Sequence, residues 1–337
     1  MSRVLERIPG VSYLLRRIFR RQLRQKFGNK ATLDGAAVVV LMPGSLHIGL
    51  LALQHLSQYQ SVIAVANGMT TKEIEFLEKN TNIGVIRLAT TLRHSTVIDI
   101  LIAELEYPFW IVDHDCYVID TNILYEERKN MLPSAAGVAI YGKQQHAGGV
   151  VVPETFLMLL NPRIIRGIFH KYSVGSARLK WRDLSGRARS ALKKLGIDEN
   201  NLPETHKDYF DTLRAVAFLA EADEQGFEMH HGYSLACQFY PEAIHIGNTS
   251  FPRWPPEGRY NALGAYFWRR CLEEPRFAAF VDQYNSLCPA LPRSSREIRK
   301  YLLDAGVMRE GDVPGFLDRL DDLIAKYSNE AAGFTHR

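Results

Sequence analysis

Several things are missing from this chain of 337 residues, and each absence narrows the reading. No apolar stretch approaches the roughly 20 residues that a helix needs to cross a bilayer, so no membrane-spanning helix is expected. The four cysteines, Cys116, Cys237, Cys271 and Cys288, are scattered, with no Cys-x-x-Cys spacing. That argues against a zinc site or a disulfide framework and for a reducing compartment. There is no internal repeat and no low-complexity tract. Nucleic acid is not an expected partner, because the later basic stretch has only Trp181 interleaved for base stacking. What is present is ordinary for a globular protein: 46% hydrophobic and 23% charged residues, enough for one large domain or two.

The net charge of +4 conceals an asymmetry. Residues 1–30 hold nine basic residues against one acidic one, a local balance of +8 that leaves −4 for the remainder. Leu15, Phe19, Leu23 and Phe27 recur at four-residue spacing among Arg16, Arg17, Arg20, Arg21 and Arg24, which predicts a basic amphipathic helix. It lacks the continuous apolar core of a signal peptide. Its favoured reading is a strap on an anionic membrane surface, with the apolar stripe in the acyl boundary; the alternative is a helix packed on the domain with its arginines in water. A second basic stretch, 176–196, carries Arg187, Arg189, Lys193 and Lys194 and suits an acidic acceptor or lipid headgroups.

Between these stretches the pattern alternates. AAVVVLM (36–42), SVIAVA (61–66), IGVIRL (83–88) and FWIV (109–112) read as buried strands. LHIGLLALQHL (46–56), TTKEIEFLEKN (70–80) and HSTVIDILIAELE (94–106) read as helices. Strand–helix alternation means a mainly parallel sheet with right-handed crossovers. The fourth strand ends in Asp113-His114-Asp115. In an open α/β sheet ligands bind in the crevice at the carboxyl ends of the strands. Two carboxylates there repel each other unless a cation lies between them. A divalent metal supplies that cation and implies a phosphate-bearing ligand.

This half, ending in an apolar strand and Asp-x-Asp, resembles a GT-A fold glycosyltransferase, over about residues 36–255. The resemblance implies a Rossmann-like, mainly parallel α/β sheet flanked by helices. It also implies transfer of a sugar from a UDP- or GDP-sugar to a glycan or lipid-linked hydroxyl, with manganese or magnesium as cofactor. Residues 1–30 would be the amphipathic segment, 31–120 the nucleotide-binding half, 121–255 the acceptor half and 256–337 a helical appendage. By resemblance Asp115 holds the metal directly, Asp113 holds it through water or contacts the ribose, and His245, in AIHIGNTSF (243–251), completes the set. In HKDYFDTLRAVAFLAEADEQGFEM (206–229), Asp208 and Asp211 open an expected long helix that ends at Gly226-Phe227. Asp211 is the candidate general base and Asp208 its neighbour; either could instead cap the helix. Donor contacts are expected from Pro43, Asn67, Arg93, His114, Gly148 and Gly149. Asn67 stands where many members carry an Asp for the nucleobase. An inverting enzyme is favoured over a retaining one, and the location is cytoplasmic, peripheral on the inner face of the plasma membrane.

Two other classes compete. Asp-x-Asp also occurs as the nucleophile motif of haloacid-dehalogenase-type phosphatases, but there it ends the first strand, whereas three strands precede it here. A membrane-peripheral scaffold with a degenerate transferase fold would keep the sheet and lose the chemistry. Sugar-nucleotide pyrophosphorylases share the α/β half but need a Gly-rich basic loop after the first strand, and Pro43-Gly44-Ser45-Leu46 is not that loop.

Overall fold

The structure is a computed structural model that describes residues 11–27, 33–59, 61–144, 151–202, 208–231, 238–239, 242–247, 249–250, 259–304, 315 and 317–325. Gly148 and Gly149 lie outside the described residues, as do Cys237, residues 251–258 and the side chains of His230 and His231.

The first half alternates as the apolar pattern requires. Helix α1 (Val11–Phe27) precedes β1 (Ala37–Leu41), α2 (Leu46–His55), β2 (Val62–Asn67), α3 (Thr71–Asn80), β3 (Gly84–Leu88), α4 (His94–Glu104) and β4 (Phe109–Val112). Then follow β5 (Cys116–Val118), α5 (Asn122–Asn130), β6 (Gly137–Gln144), β7 (Val151–Pro153), β8 (Leu157–Leu160), α6 (Pro162–Tyr172), β9 (Leu179–Lys180) and α7 (Gly186–Lys194). The chain continues through β10 (Tyr209–Phe210), α8 (Arg214–Glu221), β11 (Phe227–His231), β12 (Gln238–Phe239) and β13 (Ala243–His245). Helices α9 (Arg259–Leu272), α10 (Val281–Leu287) and α11 (Ser295–Asp304) follow.

The central sheet runs β11-β6-β8-β4-β1-β2-β3, with β7 on β6. Strands β3, β2, β1 and β4 are mutually parallel, β8 is antiparallel to both β4 and β6, and β11 is parallel to β6. Every residue of β1, β2 and β4 is buried, because helices cover both faces of the sheet. Side chains alternate between the layers: Ala37, Val39 and Leu41 join one apolar cluster with α2 and α9–α11, while Val38 and Val40 join the other with α1, α4, α6 and α8. Strand order turns at β1 and β4, so the loops after these two strands open into one crevice.

Helix α1 corrects the expectation for the N-terminus. Phe19 and Leu23 are buried, and Leu15 and Phe27 pack on the same cluster. Gly84 leaves the space that the Phe27 ring fills. Arg16 and Arg20 both bond to the Glu104 carboxylate, at 3.2 and 2.5 Å, and Lys26 reaches Glu78 at 3.2 Å. The apolar stripe is therefore the buried face of a packed helix and is not available to acyl chains. The outer face carries Arg17, Arg21 and Arg24 with Leu14 and Ile18.

The expected long helix over 206–229 is also corrected. Helix α8 is Arg214–Glu221, preceded by Leu213 in the left-handed region (φ 63°). Neither Asp208 nor Asp211 is its N-cap. Phe227 opens strand β11, paired with Gly137 of β6. The C-terminal helices form part of the layer over α2 and α3. Trp268 Nε1 donates to Gly44 O at 3.2 Å, and Tyr284 Oη donates to the buried Glu73 carboxylate at 2.6 Å.

Candidate metal centre

Strand β4 delivers Asp113 to the crevice. Its N–H bonds to Phe156 O (2.9 Å), and Cys116 N–H returns to Asp113 O (2.9 Å), closing a tight turn over His114 and Asp115. The chain then enters β5, which pairs antiparallel with β13 so that Cys116 lies opposite His245. Ile246 N–H bonds to Asp115 O at 3.1 Å. This crossing carries His245 to the aspartates from 130 positions away in the chain. Phe156 stacks on the imidazole, with centroids 4.1 Å apart and planes 10° from parallel, which fixes the ring's orientation. One ligand atom each from Asp113, Asp115 and His245 lies within 4.8 Å of the others, and His245 Nε2 is 3.7 Å from Asp115 Oδ1.

The electrostatics are those of a site short of positive charge. Burial pushes the Asp113 carboxyl well up, and the charges of Asp115, Asp211 and Glu154 push it further. Asp115 is held down: burial opposes its ionisation, but His114, His245 and a 2.8 Å bond from Thr249 Oγ1 outweigh burial. The surroundings thus push the two facing carboxyls in opposite directions, Asp113 up and Asp115 down. Burial lowers His245 despite the opposing pull of Asp115 and Glu154, leaving a neutral imidazole with a lone pair to offer. His94, the first residue of α4, is lowered to about 4 by burial, with His114 adding to the effect and Asp115 opposing it.

The other expected residues divide. His114 turns inward, with Nε2 3.3 Å from both Thr249 Oγ1 and Ser250 Oγ. Asp211 lies close enough for its charge to reach Asp113, and Arg178 Nε holds its Oδ1 at 2.6 Å. Asp208 is solvent-facing and paired with Lys180, away from the aspartates. The buried amide of Asn67 is engaged with Leu92, donating to O at 2.9 Å and accepting from N–H at 2.8 Å. It thereby clamps the loop after β3 to the end of β2. Pro43 sits half-buried in the turn after β1, and Arg93 is exposed at the N-cap of α4. Arg187, Arg189, Lys193 and Lys194 lie on α7, separate from the aspartates.

Sequence reasoning passed over Thr249, Glu154 and His94, and placed Arg178 only within the basic stretch 176–196. Thr249 falls inside the motif that marked His245. Glu154 follows β7 and is held by Arg214 Nη2 at 2.9 Å. No local pattern announces Glu154 or His94.

The comparisons bear on this arrangement. Residues 20–165 match the family model described as the StrH glycosyltransferase N-terminal domain. The chain carries a glycosyltransferase domain. Asp113, His114, Asp115 and Glu154 fall within the matched part of that domain, and Asp211 and His245 beyond it. Among solved structures, the glycosyltransferase GlyE of Streptococcus pneumoniae TIGR4 aligns over 88% of this chain and 64% of its own length, at 10% identity and a TM-score of 0.32. So low a score adds no weight to the domain assignment. No curated protein matches the chain.

Proposed function

We propose that this protein transfers a sugar from a UDP- or GDP-sugar to a hydroxyl acceptor, a glycan or a lipid-linked sugar, with manganese or magnesium held by Asp113, Asp115 and His245. The observation that carries this reading is the convergence of the three ligand atoms within 4.8 Å. The donor set fits a divalent cation. Ligands on one magnesium at about 2.1 Å lie at most about 4.2 Å apart, a little closer than the 4.8 Å within which these three atoms already lie. Carboxylates with one imidazole also suit manganese. When bound, the cation would neutralise the donor diphosphate and the charge that develops on the leaving nucleotide.

The chain's own residues do the rest. Thr249 fixes the Asp115 carboxylate, and Phe156 fixes the His245 ring. Asp211 deprotonates the acceptor hydroxyl, with Arg178 orienting its carboxylate, as inversion requires. Peripheral attachment at the inner face of the membrane is supported by the outer face of α1, where Arg17, Arg21 and Arg24 flank Leu14 (53% exposed) and Ile18 (40%). No helix among the described residues is long and apolar enough to cross a membrane.

Calorimetry of UDP or GDP with manganese tests the site. Asp115→Ala is expected to abolish cation-dependent binding, and wild-type affinity in that variant overturns the assignment. Asp211→Asn is expected to keep nucleotide affinity and lose donor turnover, because only the transition state needs the proton transfer.

A further inference from the structure

Helix α7 presents two unlike faces. Ala188, Ala191 and Leu192 are buried against the domain. Gly186, Arg189, Ser190 and Lys193 fall at positions i, i+3, i+4 and i+7, one stripe on the other side. That stripe forms one wall of an open cavity of about 310 Å³, bordered by Trp181 and Arg182 from the turn ahead of the helix. The volume is at the lower end for small-molecule sites and suits a compact group.

The charge inside is one-sided. Arg182, Arg189 and Lys193 line the cavity against a single carboxylate, Glu199. Among the described residues, no carboxylate lies within ion-pair distance of Arg189 or Lys193, and Arg182 has only Asp183 at the 4.0 Å limit. Arg189 and Lys193 are also a like-charged i,i+4 pair, an arrangement that destabilises a helix. A solvated helix face would tolerate this in isolation. Here the third cation and the wall formed by Trp181 gather the charges into a concavity. The space beside Gly186 is open, since a Cβ added there would meet nothing within 4 Å.

The cavity is tied to the candidate site by one hairpin. Strand β9 runs directly into Trp181 and pairs with β10, Lys180 opposite Tyr209 and Leu179 opposite Phe210. Residue 211 follows β10 at the far end, where Arg178 grips the Asp211 carboxylate. Arg178 and Trp181 are three residues apart, about 10 Å of extended chain.

We propose that this cavity binds an anionic group of the acceptor, a phosphate or a carboxylate, in the grip of Arg189, Lys193 and Arg182. The acceptor's reacting hydroxyl then lies on the order of 10 Å away, beside Asp211. The acceptor half of this statement rests on the transferase reading above; the anion site stands on its own geometry.

Isothermal titration with inorganic phosphate and with glucuronate tests the proposal. The wild-type protein is expected to bind one anion per chain. The paired substitution Arg189→Gln with Lys193→Gln should weaken that binding at least tenfold, and Gly186→Leu should block it by filling the space. Lys129→Gln, which removes an exposed positive charge elsewhere, should leave it unchanged. Saturating UDP or GDP with manganese should not displace the anion, and the paired variant should bind those nucleotides as the wild type does. Anion binding indifferent to the paired substitution and to Gly186→Leu overturns the proposal. So does one-for-one displacement by nucleotide, which would make the cavity part of the donor site. If the wild type binds the anion but no nucleotide with manganese, the transferase reading fails while the anion site stands.

Discussion

At the scale of single residues, Asp113 and Asp115 show how position divides two identical side chains. Both are desolvated. Asp115 accepts the Thr249 hydroxyl and faces His245, whereas Asp113 faces the charges of Asp115, Asp211 and Glu154. In the metal-free protein the second ionisation of the pair is therefore disfavoured. The consequence for stability has a definite sign. The pKa of Asp113 is higher folded than unfolded, so between the two values the folded chain binds more protons, and stability falls as pH rises. Its contribution is complete below the ordinary aspartate range and is lost as pH climbs through its raised value. Thermal melts of metal-free protein over a pH series should show this decline, and Asp113→Asn should flatten it. Manganese, which favours the ionised pair, should raise the melting temperature more at the alkaline end of the series than at the acid end. An identical pH slope in wild type and Asp113→Asn would mean that the carboxyl is not held protonated by its surroundings.

At the scale of elements, α1 shows what a periodic pattern can and cannot say. Four-residue spacing of Leu15, Phe19, Leu23 and Phe27 establishes an amphipathic helix but not what covers its apolar face. The decisive partner is Glu104, at the end of α4, which no local pattern connects to Arg16 or Arg20. Burial raises the pKa of Glu104, but the hydrogen bonds and charges of Arg20 and Arg16 outweigh burial and lower it. A lowered folded value gives stability that is present above the unfolded glutamate range and is lost as pH falls through the folded value. Glu104→Gln should therefore loosen α1 at neutral pH, seen as faster amide exchange over residues 11–27, and should remove the acid-range loss of protection there. Phe19→Ala should cost about 3–5 kcal/mol, because the ring is fully buried. Unchanged exchange in Glu104→Gln would show that the apolar stripe alone holds the helix. The same logic explains which elements are legible. Strands β1, β2 and β4, buried on both faces, announce themselves as continuous apolar runs, and the edge strand β3 departs from one only at the exposed Arg87. Strands β5, β9, β10 and β13 are two or three residues long and are strands only because a distant partner pairs with them. The 206–229 stretch reads as one long helix because AVAFLA carries the period, yet the left-handed Leu213 delays its start, and Phe227 leaves for the sheet.

At the scale of the whole molecule, the site is assembled from pieces that the sequence keeps far apart. Asp113 and Asp115 are legible because one strand end holds both, and His245 because its motif marks it. Glu154 and His94 are illegible because only the β7–β8 turn and the start of α4 carry them there. The C-terminal helices extend the assembly to the turn after β1. Gly44 stands in that turn at φ 79°, where its missing side chain leaves room for Leu287. Its carbonyl receives Trp268 Nε1, and its N–H reaches Glu73 Oε1 at 3.3 Å. Glu73 is itself fully buried and accepts from Tyr284 Oη at 2.6 Å and from Thr70 at 2.8 Å. Tyr284→Phe keeps the ring and removes one donor from a buried carboxylate, at an expected cost of about 1.5–3 kcal/mol in a urea melt. If Glu73 positions the β1–α2 turn for the donor, nucleotide affinity in the presence of manganese should fall in the same variant, while phosphate binding at α7, on the other face of the sheet, stays constant. A stability loss without any change in nucleotide affinity would confine the C-terminal helices to support of the core.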